Sequence, residues 1–211
     1  MPAIKSQAPT GPTKGERTAA RVMDIAEELF AQQGYESTSL RQIAAGASIK
    51  EPGLYNHFNG KPALYAAVLH RALNPMAEAL SEHLENASSL KDYTDLPAIM
   101  TDLLLLHPRM AALFQQAIQG DSNSTGNQLV IQWLEKLLEQ GMRSLESVDS
   151  ISNQDRATQA INLLAMYNLT TGYFLSQRVL DSLGGGKLQD PENIARQKQL
   201  LHRVIRAMLI S

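Results

Sequence analysis

Apolar residues recur along this chain at the i, i+3, i+4 spacing of amphipathic helices, and no stretch alternates like a half-buried strand. Val22, Ile25, Ala26, Leu29 and Phe30 form the stripe of a first helix over residues 18–33, with Gly34 as its C-terminal stop. Thr38 or Ser39 caps a short second helix that ends at Gly46. A short third helix carries Pro52 near its start, where a missing N–H is harmless, and ends near Phe58. The fourth, 61–81, places Leu64, Tyr65, Val68, Leu69 and Leu73 on one side, and Pro75 predicts a kink or break in it. Mostly longer helices follow over residues 95–107, 108–120, 126–145, 154–183 and 191–210. Turn formers such as DSNSTG at 121–126 and LGGGKLQD at 183–190 separate them. The pattern predicts an all-α chain of about nine helices. It divides into a flexible N-terminal arm (1–13), a three-helix head (14–62) and a larger helical body (63–211).

With 211 residues, 44% hydrophobic and 19% charged, the chain has enough apolar surface for a buried core. It contains no cysteine, which removes disulfides, thiolate zinc sites and thiol nucleophiles. Residues 1–12 are polar and proline-rich, unlike a secretory signal, and the longest pure apolar run, 103–106, is too short for a membrane span. A cytoplasmic protein without membrane contact is expected. No nucleophile elbow, phosphate-cradling glycine loop or metal-ligand spacing occurs, so no enzyme, cofactor or metal is expected. The glycine triplet at 184–186 follows a helix and reads as a flexible loop. The net charge of −2 is unevenly spread. Residues 1–71 hold eight Lys/Arg against six Asp/Glu, and the remainder eleven against fifteen, a weakly basic head on an acidic body.

The informative stretch is TSLRQIAAGASIKEPGLYNHFNGK, residues 38–61. Two very short helices bury little area alone, so they must pack on the first helix and present the third outward. Leu40, Ile43, Ala44, Ala47, Ile49, Leu54 and Phe58 supply the inner face, and small residues at 44–47 let the second and third helices approach near the turn. IAAGASIKEPGLYNHF, followed by Lys61, resembles the helix-turn-helix head of TetR-type repressors, matching their ungapped pattern at Ile43, Ala44, Ala47, Leu54, Tyr55, His57, Phe58 and Lys61. The detailed resemblance covers residues 17–65. Three positions depart from the pattern: Ser48 replaces the usual turn glycine, Lys50 the usual serine cap, and Gly53 a frequent threonine. The resemblance implies a DNA-binding head with Arg41 at the edge of the major groove, where a guanidinium grips a phosphate or forks onto guanine. Lys50, Glu51, Gly53 and Asn56 occupy the exposed start and outer face of the reading helix. Asn56 suits adenine and Glu51 a cytosine amine, while a merely solvated surface is the alternative for Lys50 and Glu51. Tyr55, His57 and Lys61 suit phosphate contacts, as does Ser39 at its helix start. Tyr55 has the further option of packing within the head.

In the body, Leu200, Leu201, Val204, Ile205 and Met208 form an apolar face near the chain end, and Ala160, Ile161, Leu164 and Tyr173 recur at helical spacing before it. These faces either pack within one chain or meet a second copy, and the resemblance implies a homodimer. Two heads about one helical turn apart would then read a palindromic operator in double-stranded DNA. The resemblance also implies an effector cavity for an unidentified small apolar or amphipathic molecule. Met100, Leu103, Leu104, His107, Phe114, Ile118, Trp133, Leu137, Met166, Tyr167 and Thr170 are its candidate lining, with ordinary core as the alternative for each. Ligand-induced release from the operator follows as the expected mechanism. A helical adaptor that binds only protein is the competing reading.

Overall fold

A capping box opens the first helix, α1 (Lys14–Ser37). The Thr13 hydroxyl accepts from the Glu16 N–H at 3.2 Å, and Glu16 Oε2 accepts from the Thr13 N–H at 2.6 Å. The helix therefore starts earlier than residue 18. This computed structural model describes residues 11–87, 90–145 and 155–210, so the expected arm lies outside them except for its last three positions. Gly34, at φ 84°, interrupts α1 as expected, and the buried Thr38 locks the bend by donating its hydroxyl to the Gly34 carbonyl at 2.7 Å.

The remaining helices are α2 (Leu40–Gly46), α3 (Glu51–Leu54), α4 (Gly60–Glu85), α5 (Leu90–Leu106), α6 (Met110–Gln119), α7 (Thr125–Leu145), α8 (Arg156–Phe174), α9 (Gln177–Ser182) and α10 (Pro191–Ile210). The described residues thus form ten helices and no strand, against the nine expected. The extra helix arises because the expected 154–183 segment breaks after Phe174. Leu175 closes α8, Ser176 donates its hydroxyl to the Gly172 carbonyl at 2.7 Å, and α9 starts afresh. The third helix stops at Leu54 rather than near Phe58, since the amides of His57 and Phe58 both turn back to the Leu54 carbonyl at 3.0 Å. Pro75 breaks nothing: α4 continues through it, forgoing the one hydrogen bond a proline cannot donate.

The chain divides into two compact units, Met1–Val68 and Leu69–Ser211, with the boundary inside α4. In the first, Val22, Ala26 and Phe30 of α1 meet Ile43 and Ala44 of α2, Leu54 of α3, and Leu64 and Tyr65 of α4, all essentially without solvent contact. Each of the larger aliphatic side chains contributes about 1.5–3 kcal/mol by its burial. Phe30 meets Tyr65 edge-on at 4.8 Å and Tyr35 packs against both. Gly46 serves α1 rather than α3: a Cβ there would stand 2.7 Å from Ile25 Cγ2.

In the second unit α5 packs on α8 and α10, and α7 on α6 and α8. Met76 and Leu80 of α4, Tyr93 and Leu104 of α5, Met110, Leu113 and Phe114 of α6, Val130 of α7, and Leu201 and Ile205 of α10 make its core. The glycine triplet is a built turn rather than a flexible loop. Gly184 and Gly186 have φ of 69° and 79°, and a Cβ at Gly185 would stand 2.3 Å from Leu180. Asn193 Nδ2 donates to the Gly185 carbonyl at 2.8 Å and Gln177 Nε2 to that of Gly186 at 3.2 Å. The Tyr173 hydroxyl, donating to Leu188 at 2.6 Å, ties the end of α8 to the far side of this turn.

Candidate nucleic-acid interface

The head presents its candidate DNA contacts on two short helices that rest on a fully buried base. Ser39 begins α2 with a second capping box: its hydroxyl accepts from the Gln42 N–H at 3.2 Å, and Gln42 Oε1 accepts from the Ser39 N–H at 2.8 Å. Both polar groups of Ser39 are thereby engaged within the chain. Arg41 stands exposed on the first turn of α2. After Ala47 the backbone turns through Ser48 at φ 54°, a left-handed conformation that costs a residue with a Cβ about 1–2 kcal/mol. Lys50 then occupies the N-cap of α3 with no side-chain hydrogen bond.

Leu54 is wholly buried and pins α3 down, while Lys50, Glu51, Tyr55 and Asn56 face solvent. Tyr55 is 55% exposed, so its ring is not part of the head core. Gly53 and His57 are half-buried, the imidazole lying beside Gly15 at the start of α1. Leu40, Ile49 and Phe58, expected on the inner face, are also only half-buried. Lys61 is held by two groups the sequence reading passed over. Its Nζ sits 4.3 Å from the centre of the Tyr35 ring and donates to the Glu36 carbonyl at 3.2 Å. The surface thus offers three fixed-charge donors (Arg41, Lys50 and Lys61), a phenol, an imidazole and an amide, with Glu51 as a carboxylate among them.

In the second unit an apolar cavity of about 80 Å³ lies among α4, α5, α7 and α8. Met100, Leu137, Met166, Tyr167 and Thr170 line it, joined by Leu80, Leu84, Leu96, Pro97, Leu138, Gly141 and Leu163, which sequence reasoning did not name. Gly141, a glycine deep in α7, was the available signal, because an interior helical glycine marks a close approach or a missing side chain. Leu104 and Phe114 are buried in the core beside it, and Trp133 stacks on Phe114 at 5.5 Å. Phe114 in turn lies 6.2 Å from Tyr167, whose phenol burial pushes above its ordinary pKa. Leu103 and His107 are half-buried outside the lining, and Ile118 is 49% exposed.

Of the candidate dimer face, Ile161, Leu164 and Leu200 are large exposed apolar side chains and Ala160 is exposed with them. Tyr173, Val204 and Met208 are half-buried. Leu201 and Ile205 are corrected to the core of their own chain, since the α5–α10 packing encloses them completely. Tyr173, Leu200 and Val204 border a second apolar groove of about 220 Å³ between the end of α8, α9 and α10. Among the described residues no cluster of His, Asp and Glu is able to hold a metal, and no helix is long and apolar enough to cross a membrane.

The sequence profile of the bacterial regulatory proteins of the TetR family matches residues 22–68, which contain α2, α3 and most of α1. Residues 22–68 thus carry a TetR-type helix-turn-helix head. The HTH-type transcriptional repressor KstR2 of Rhodococcus jostii is 34% identical over 92 residues, 44% of this chain and 43% of that protein. The chain therefore spans less than half the length of this curated relative. The TetR fold extends much further than the sequence likeness. A TetR-family transcriptional regulator of Bordetella parapertussis superposes over 92% of this chain and 95% of its own, with a TM-score of 0.70 at 14% identity. The ketosteroid transcriptional regulator KstR2 of Mycobacterium tuberculosis does so over 96% and 95%, with a TM-score of 0.64 at 16% identity. Ser48, Lys50 and Gly53, the departures from the TetR pattern, all fall inside the profile-matched region.

Proposed function

We propose that this chain is a dimeric, DNA-binding transcriptional repressor of the TetR family that leaves a palindromic operator when a small apolar or amphipathic molecule enters its body. The observation that carries the DNA reading is the division of α3 and its flank into a buried anchor, Leu54, and an outward surface of Lys50, Glu51, Tyr55 and Asn56. A short helix with so little intramolecular packing on its outer side is suited to the major groove. In this reading Asn56 pairs with adenine and Glu51 with a cytosine amine, or rejects other bases. Arg41, Tyr55, His57 and Lys61 hold phosphates, and Gly53 belongs to the same contact surface. Ser39 joins the phosphate contacts by exchanging its Gln42 partner for an anion.

Exposed Ile161, Leu164 and Leu200, with Ala160, Tyr173, Val204 and Met208, supply the face for a second copy. Two-fold pairing of heads is what a palindrome requires. The apolar cavity supports a hydrophobic effector, and ketosteroid regulation by a structural relative accords with that chemistry. Effector binding would favour a conformer whose heads no longer fit adjacent grooves, with α4, which contributes residues to both units, as the moving part. Such a regulator works in the cytoplasm and turns over no substrate.

Selection of bound sequences from a random duplex library by the purified full chain tests the proposal. The expected result is a palindromic consensus bound with steep salt dependence, because each neutralised phosphate releases counterions. Absence of both enrichment and salt dependence would refute DNA binding and favour the adaptor.

A further inference from the structure

Five described residues have a positive φ, and four of them are glycines: Gly34, Gly60, Gly184 and Gly186. The fifth is Ser48, in the turn between α2 and α3. Glycine would sit there without strain, as it does at every other such position. The left-handed turn closes α2 with the amides of Ser48 and Ile49 donating to the Ala45 and Ala44 carbonyls, both at 3.0 Å, a cap that glycine makes equally well. The serine side chain is exposed and its hydroxyl makes no hydrogen bond among the described residues. Five residues on, the converse holds. Gly53 does not have a positive φ, and a Cβ built on it meets nothing within 4 Å. Neither backbone conformation nor packing requires glycine at a helical position where alanine is favoured. The two residues flank Lys50, which leaves α3 without a side-chain cap. Each choice lowers the stability of the isolated head, and both lie where an external surface would meet it.

We propose that Ser48 and Gly53 are shaped by contact with DNA: the Ser48 hydroxyl donates to a phosphate oxygen, and the absent Cβ of Gly53 lets the α3 backbone seat close to the base edges. The inference rests on the DNA-binding reading above. Strain retained at a surface position is explained by the partner that uses it. An exposed hydroxyl two residues before Lys50 is an apt phosphate donor, and it carries no charge of its own. Closer seating at Gly53 brings the neighbouring Glu51 and Asn56 within reach of bases. A methyl group there would hold the helix off the groove floor.

The test uses the full chain, the duplex that the wild type selects from a random library, and the variants Ser48→Ala, Ser48→Gly and Gly53→Ala. Both serine variants are expected to bind about tenfold more weakly, as for loss of one hydrogen bond to a charged group. Their salt dependence should equal that of the wild type, because a neutral hydroxyl releases no counterion. Ser48→Gly should melt above the wild type, so its weaker binding cannot be ascribed to unfolding. Gly53→Ala should melt at or above the wild type and also lose about tenfold in affinity. If all three variants bind the selected duplex as tightly as the wild type, the inference fails while the DNA-binding reading stands. If the wild type itself binds no duplex, both fail.

Discussion

Gly46→Ala tests the packing on which the head depends. Built on the observed backbone, the new Cβ stands 2.7 Å from Cγ2 of Ile25, with Ile25 Cβ and Cδ1 at 3.8 Å. Carbon atoms pack best about 3.5 Å or more apart, so ~0.8 Å must be found. The γ methyl cannot swing aside freely, because a β-branched residue in a helix is confined to one main χ1 rotamer. The backbones of α1 and α2 must separate instead. Overpacking of this kind costs about 1–3 kcal/mol. Replacing a helical glycine returns up to about 1 kcal/mol, and less at the last residue of α2. The net expectation is a head destabilised by about 1–2 kcal/mol. Trp133 lies in the second unit, so its fluorescence does not follow the head. Amide exchange at the buried positions Ala26, Phe30, Ile43 and Ala44 does, and it should accelerate about tenfold for each 1.4 kcal/mol lost. Ile25→Ala removes the obstructing methyl, so the double variant should be less destabilised than the sum of the singles, with a coupling of about 1 kcal/mol. Unchanged exchange in Gly46→Ala, or strictly additive single variants, would refute the close approach as the reason for glycine.

Ile161→Glu and Leu164→Glu should each shift sedimentation from dimer to monomer with an unchanged helical spectrum, because a carboxylate would have to be desolvated in the proposed seam; a persisting dimer would move the interface elsewhere. Hydrogen bonds from Thr13, backbone first and then side chain, hold the Glu16 carboxyl below the usual glutamate range. A depressed acid stabilises fully above its unfolded pKa and ceases to do so as pH falls through its folded one, so first-turn amides of α1 should lose protection on acidification through that window. Thr13→Ala should flatten this dependence, and an equal acid response in both proteins would count against the capping box. A neutral cyclic hydrocarbon should perturb Trp133 fluorescence more than the corresponding carboxylate; equal responses would argue against the cavity as the effector's seat.

What the sequence disclosed was local. SLRQ contains the Ser39–Gln42 capping box of α2 within four residues, and Gly34 ends the first helical run by its own geometry. TKGE at 13–16 carries the same kind of signal for α1, obscured because Gly15 is a poor helix former. The break after Phe174 was not legible. α8 and α9 are separated by a turn stabilised from Leu188 and Gln177, and a helical stripe running into such a turn looks continuous. The cavity was legible only in part for a related reason. Periodicity told which side of a helix is apolar, so Met166 and Thr170 were found. Whether a buried side chain meets a void or another side chain depends on four helices at once, which is why Phe114 proved to be core and Leu84 proved to be lining. Pro75 shows the opposite error, a local rule overridden because a helix buried along Leu73, Met76 and Leu80 loses less by one missing hydrogen bond than by breaking.

The energetics of the proposed switch narrow the effector further than its size does. A hundredfold loss of operator affinity requires about 2.7 kcal/mol of differential binding. At ~25 cal/mol per Å² this is about 110 Å² of apolar surface buried in one conformer and not the other, or three to four methylene groups. An apolar cavity of about 150 Å³ is known to hold a benzene ring, and the one observed is about 80 Å³. A ligand of benzene's size would therefore have to widen the cavity, while three to four methylene groups ask for less room. Its lining carries no charged side chain, and the Thr170 hydroxyl already donates to the Met166 carbonyl at 2.8 Å. A carboxylate drawn inside would lose its hydration with no cation to meet it, at a cost of several kcal/mol. That cost equals or exceeds the coupling the switch needs. An effector seated in this cavity, as proposed, would accordingly enter by a neutral part, with any charge it carries left outside the walls.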